Sequence, residues 1–189
     1  VASKDNKDIL DNSIEEATKQ INNGEIVLPH ITVLVLDEFQ DINEKSFNLV
    51  KAIYNANNRD IRIIAVGDDD QCIMDHIGAN VDFIDKFEKE FGYDEEKNSL
   101  YKQYELICNF RSKRNIVEYS NTFITTVRKR YKSQPLYSSI QDEGLVNIYS
   151  IANPNLLTPL IELIKKEETE SNIAILAYTN ETVMDIYSL

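Results

Sequence analysis

The chain has 189 residues, 42% of them hydrophobic, with 5 glycines and 4 prolines; this composition fits a globular protein of one domain or slightly more and excludes a fibrous or wholly disordered chain. Its 20 Lys and Arg stand against 32 Asp and Glu, a formal charge of -12, which excludes a protein that wraps nucleic acid with its whole surface but leaves room for a motor lobe with local contacts. No run is long and apolar enough to cross a membrane and the first residues lack a signal-peptide layout, so no membrane partner and a cytoplasmic setting are expected, with Cys72 and Cys108 as small buried thiols rather than a disulfide.

In chain order, Ile9, Leu10, Ile14, Ala17 and Ile21 recur at near-helical spacing, and "NNG" at 22–24 ends that run. The β-branched stretch "ITVLVL" (31–36) reads as a central, fully buried strand of a parallel sheet. A helix follows with Phe47, Val50, Ala52, Ile53 and Tyr54, closed by "NANNRD"; "IRIIAV" (61–66) is then a second strand ending at Gly67. Ile84, Phe87 and Phe91, with Val81, predict a further helix between Gly78 and Tyr93. "YELICNF" (104–110) reads as a third strand. Ser112 stands where the N-cap of a long helix would, with Ile116, Tyr119, Ser120, Phe123, Ile124 and Val127 on one face. Alternation of strand and helix predicts an α/β layered fold with its chemistry at the carboxyl ends of the strands.

The stretch "KRYKSQPLYSSIQDEG" (129–144) breaks the pattern, and "LVNIYS", "NLLTPLIELIKKEE" and "IAILAY" then open a second α/β unit. The expected division is 1–131, a linker at 132–144, and 145–189. Because the first residue is Val1 and "ETVMDIYSL" stops within what reads as a new helix, a piece of a longer protein is expected.

Three blocks carry chemistry. In "VLVLDEFQDIN" (33–43) an apolar strand delivers Asp37 and Glu38 at its tip, the form of a Walker B site: one carboxylate holds hydrated magnesium and its neighbour orients and deprotonates water. The competing reading is a solvated acidic strand end before a helix; Gln40 and Asp41 weigh against it. In "GDDDQ" (67–71) Gln71 has the donor and acceptor needed to report a terminal phosphate or a water, while Asp68, Asp69 and Asp70 alone fit a turn, a calcium loop or a phosphate sensor, with EF-hand spacing absent. In "NFRSKRN" Arg111 follows a strand and suits a transferred phosphoryl group, whereas a surface salt bridge accounts better for Lys113 and Arg114. The basic "VRKRYK" (127–132) fits either phosphate contact or a cationic helix end.

As a set these blocks resemble the UvrD/Rep-like superfamily 1 DNA helicases. "VLVLDEFQDIN" looks like the family's "ILVDEFQDTN", "GDDDQCIMDHIGAN" like "GDxxQSIYxFRGA", and "LICNFRS" like "LxxNYRS". "YSNTFI" and "IAILAYTNE" resemble the continuation into a second motor domain, so the likeness runs from about Ile9 onward. It implies an incomplete RecA-like (P-loop NTPase) motor domain followed by the start of a second, with ATP and Mg2+ as cofactors. It also implies single-stranded or partly duplex DNA as partner, and further helicase segments in cis.

By the same resemblance Asp37 holds magnesium, Glu38 activates water, Gln71 and Arg111 contact the γ-phosphate, and Gln40 and Asp41 belong to a coupling network. Asn109 and Phe110 support Arg111. Where the family has two aromatics and an arginine facing DNA, this chain has Met74, His76 and Ile77; methionine and histidine can lie against a base, and isoleucine offers a phosphate nothing. No G-x-x-x-x-G-K-[ST] occurs, so the loop that cradles the β- and γ-phosphates is not in this sequence. The leading expectation is therefore an ATP-dependent DNA helicase or translocase whose isolated 189 residues hydrolyse ATP poorly or not at all. A helicase-like regulatory or nuclease-associated subunit with decayed DNA contacts is the alternative. An acidic signalling module with Asp37 as phosphate acceptor leaves the three blocks together unexplained.

Overall fold

The computed structural model describes residues 4–72, 82–94, 96–126, 130–150, 157–166, 173–177 and 179–187. The chain divides into two compact units, 1–144 and 145–189.

The first unit opens with α1 (Lys4–Asn22), which ends at Gly24 in the left-handed conformation (φ 73°), where its amide donates to Ile21 O. Strand β1 (Val33–Leu36) pairs in parallel with β2 (Arg62–Ala65), Val33 opposite Arg62 and Leu36 opposite Ala65. Between them α2 (Glu44–Ala56) starts at Asn43, whose side chain accepts from Ser46 N (3.0 Å), and buries Phe47, Val50, Ala52 and Tyr54. Helix α3 (Asp82–Phe91) contributes Phe83 and Phe91. Ring centroids of Phe47 and Phe83 lie 5.2 Å apart, and Tyr54 meets Phe91 edge-on at 5.2 Å, so this core is largely aromatic. Two or more aromatics on each of these two helices form the core above a sheet that is two strands wide among the described residues.

Among the described residues only one face of that sheet is covered. Leu34, Leu36, Ile63 and Ala65 face the core, whereas Val33, Val35 and Ile64 are exposed, so the fully buried strand expected at 31–36 is half-buried here. The period of two in burial follows from the pleat, since alternate side chains leave on opposite sides.

A second parallel pair is formed by β3 (Cys108–Lys113) and β4 (Tyr137–Ile140). Strand β3 lies several residues later than the 104–110 expected, and the segment expected as a linker carries β4. Helix α4 (Arg114–Ile124) follows β3 directly, with Lys113 at its N-cap making no side-chain cap, so Ser112 is a strand residue rather than a cap. The expected apolar face of α4 is also turned: Val117 is its buried residue, while Ile116, Tyr119 and Phe123 are exposed and Val127 lies outside the described residues. The reason is the neighbour. Helix α4 packs on extended chain, and Asn121 meets both the N–H and C=O of Leu136 (3.1 and 2.7 Å), as Asn115 does those of Gly144 (both 2.6 Å). Backbone groups taken from water need partners, so asparagines occupy the inner face.

In the second unit α5 (Leu157–Lys166) and α6 (Asn180–Tyr187) are helical, the latter begun by Thr179, whose hydroxyl accepts from Thr182 N. The strand-like "IAILAY" has no ladder partner over its described residues 173–177, nor has 145–150 among the described residues, and apolar alternation makes a strand only when a neighbour supplies one. Two small parallel sheets with flanking helices are consistent with a RecA-like fold. Among the described residues no helix is long and apolar enough to cross a membrane.

Candidate functional site

The parallel register brings the tips of β1 and β2 side by side. Val66 N donates to Leu36 O (2.8 Å), and Phe39 N crosses back to Val66 O (2.9 Å). Between those bonds Asp37 and Glu38 are exposed, and Glu38 adopts the left-handed conformation (φ 51°, ψ 44°) that lets the chain leave the strand and enter a short 3-10 turn, Phe39–Asp41. That backbone costs a non-glycine residue about 1–2 kcal/mol, so its surroundings must hold it. Two neighbours do so. Phe39 is buried and meets Phe87 edge-on at 5.4 Å, and the Asp37 carboxylate accepts the Glu38 amide (3.0 Å).

Gln40 is 3% exposed and spends its whole side chain on a bridge. Its Nε2 donates to Glu38 Oε2 (2.6 Å), and its Oε1 accepts from Asp68 N (2.9 Å). Its main-chain carbonyl lies 3.4 Å from the Cys72 thiol. Gly67 makes room for this contact: a Cβ there would lie 2.7 Å from Gln40 Oε1 and 3.1 Å from Gln40 N. The glycine of "GDDDQ" is thus required by close approach of the preceding loop.

Asp69–Gln71 form a second 3-10 turn, capped by Asp68, whose carboxylate accepts from Asp70 N (3.1 Å) and from Gln71 Nε2 (2.8 Å). The three carboxylates have oxygens within 4.8 Å of one another, a spacing compatible with a metal ion. Protein cations already meet them. Arg130 forks onto Asp70 (2.7 and 2.9 Å), Lys132 Nζ contacts Asp68 and Asp70, and Tyr131 N donates to Asp69 (2.5 Å). Burial works against the Asp70 charge, but hydrogen bonds and positive charge from Arg130 and Lys132 outweigh it and hold that carboxyl below the ordinary carboxylate range. Burial likewise opposes the Lys132 charge and is outweighed by Asp68 and Asp70, so its ammonium sits above its ordinary value.

In the other sheet, register shifts between Asn109 and Lys113. The Asn109 carboxamide oxygen accepts from both Arg111 N (2.9 Å) and Ser112 N (2.8 Å), closing a bulge that leaves Phe110 and Arg111 exposed. Bulges of this kind re-aim side chains. No hydrogen bond or ion pair joins Arg111 to the two acidic turns among the described residues.

A family profile, the UvrD/REP helicase N-terminal domain, matches residues 6–92, the stretch that holds both turns and the Gln40 bridge. Residues 6–92 thus match a UvrD/Rep-like superfamily 1 helicase domain. The helicase domain is similar to the ATP-dependent DNA helicase Rep of Buchnera aphidicola subsp. Acyrthosiphon pisum, 30% identical over 62% of this chain and 17% of that protein. It is similar also to a probable DNA helicase II homolog of Mycoplasma capricolum, 36% identical over 48% of this chain and 11% of that protein. RecBCD enzyme subunit RecB of Buchnera aphidicola subsp. Schizaphis graminum is 25% identical over 85% of this chain and 13% of that protein. The chain therefore spans under a fifth of the length of each of these relatives.

Within the helicase domain the structure gathers Glu38, Gln40, Asp68 and Gln71 into one hydrogen-bonded chain, with Asp37 beside it. Asp41 is exposed, and Arg111 stands on the separate sheet. Met74, His76 and Ile77 lie outside the described residues. For magnesium the donor set fits: one exposed carboxylate at a strand tip, Asp37, with one oxygen on its own loop and the other turned to no protein group among the described residues. For nucleotide phosphates this sequence supplies no glycine-rich loop, so the cradle is not among these residues.

Sequence reasoning missed two things. In "VRKRYK" Arg130 and Lys132 pair with the aspartates, a partner not expected from the sequence, and the depth of Gln40 had no local sign. Opposite charge runs at 68–70 and 130–132 were the available signal.

Proposed function

We propose that this chain belongs to an ATP-dependent DNA helicase or translocase in which ATP hydrolysis drives movement on single-stranded DNA. The observation that carries this reading is the Gln40 bridge, which ties the carboxylate of Glu38 to the amide of Asp68 and so makes the two acidic turns one unit. Glu38 is the general base. One of its oxygens is held by Gln40, and the other takes the proton of a water as that water attacks the γ-phosphorus, the bond to the β,γ-bridging oxygen breaks and ADP leaves with that oxygen. Asp37 would hold magnesium, which when bound neutralises charge on the phosphate oxygens. Gln71 and Arg111 contact the γ-phosphate, and Gln40 with Asp41 passes the nucleotide state between the blocks. Residues 132–144 lead from the motor domain of 1–131 into the opening of a second RecA-like domain at 145–189.

ATP turnover by the full-length protein should rise when single-stranded DNA is added. Turnover that is present but indifferent to DNA would instead favour a second reading, a helicase-like subunit of a larger enzyme, which the long similarity to a RecBCD enzyme subunit supports. No turnover in either condition would refute the motor.

A further inference from the structure

We infer that Lys132, with Arg130, is a positioning residue for the "GDDDQ" turn, a cationic strap that holds Asp68 so that its second oxygen fixes the amide of Gln71. Asp68 divides its carboxylate: Oδ1 takes Lys132 Nζ and the Asp70 amide, and Oδ2 takes Gln71 Nε2 at 2.8 Å. Asp70 is clasped by Arg130 Nε and Nη2 and by Lys132 Nζ (2.7 Å). Asp69, 8% exposed, is satisfied by the Tyr131 amide. Three adjacent carboxylates repel one another, and two side-chain cations plus a main-chain donor offset that repulsion here.

The strap is itself anchored. Both Glu105 oxygens accept from the Ser133 amide and hydroxyl, and Oε2 takes the Gln134 amide as well. The ion pairs are partly shielded, with the Lys132 and Asp70 side chains 15% and 10% exposed, so salt screens them less than it does surface pairs. A segment sixty residues downstream thereby sets the orientation of the glutamine at the strand tip. The strap also occupies the only cluster of three carboxylates with metal-ligand spacing among the described residues, so calcium has no open place there while Lys132 and Arg130 are present.

The bearing on catalysis rests on the role proposed for Gln71. The strap is tested without nucleotide, so its failure is separable from failure of that role, which DNA-stimulated ATP turnover decides. In 15N-labelled chain, Lys132→Met should move the side-chain amide signals of Gln71 and quicken exchange of the Asp70 and Gln71 amides about ten-fold, the loss of one hydrogen-bond's worth of protection. Lys132→Arg, which keeps the charge, should restore most of both, and Lys86→Met, which removes the exposed pair with Glu44 and the cation over the Phe83 ring but touches neither acidic turn, should change neither. If Lys132→Met also strips protection from Phe47 and Val50 it has unfolded the core, and Arg130→Gln then decides by the same two readouts. Unmoved Gln71 signals with unchanged Asp70 and Gln71 exchange, in whichever variant stays folded, would overturn the strap.

Discussion

Gln40 shows how one buried amide can join two loops distant in sequence. Truncation to alanine removes the donor on Glu38 and the acceptor for Asp68 N together, leaving the amide of a tight turn without its partner. Gln40→Ala is expected to lower stability by about 1–3 kcal/mol, read as a drop in urea midpoint at unchanged m-value. Gly67→Ala acts on the same contact from the opposite side. Its methyl would meet Gln40 Oε1 at 2.7 Å and two main-chain nitrogens within 3.2 Å, so a cost of about 1–3 kcal/mol is expected in the same titration, and the double variant should cost less than the sum.

At the scale of elements, agreement between sequence and structure follows how local the determining forces are. β1, α2, β2 and α3 were legible because aromatic and β-branched residues at periods of 2 and 3.6 meet a core built within 33–91, and Asn43 caps α2 by contact three residues away. Helix α4 was misread because its inner face answers to backbone groups of 136–144, which no periodicity in α4 records. The bulge in β3 was equally hidden, although Asn109 before Arg111 and Ser112 is the residue that builds it. Asn109→Ala should release the Arg111 and Ser112 amides and quicken their hydrogen exchange by about ten-fold while leaving that of Gln40 unchanged; equal quickening at both places would show that the bulge is not a local device.

For the whole molecule, the acidic excess is not spread without order, since the carboxylate run at 68–70 is matched by its own cations. The groups that face one another there are Asp68, Asp69, Asp70, Arg130 and Lys132, with Glu105 beside the strap. Asp70 titrates below its ordinary value when folded, so its contribution to stability is fully present above the unfolded value near about pH 4 and is lost as pH falls through the folded one. Lys132 is raised, so its contribution is fully present below the unfolded value near about pH 10.4 and is lost as pH rises through the folded one. Urea titrations of wild type and Lys132→Met should therefore differ at neutral pH and converge at both extremes; a constant difference across the range would contradict the ion-pair account.

The proposed role of Glu38, set in left-handed backbone at the tip of β1 and held by Gln40, is that of the base that activates water for ATP hydrolysis. The most direct measurement is single-stranded-DNA-stimulated ATP turnover by the full-length protein with Glu38→Gln, which keeps the size and hydrogen-bonding capacity of the side chain and removes its basicity. A fall in kcat of about 10²–10⁴-fold with ATP still bound is expected if Glu38 is the base. Turnover equal to wild type would contradict it.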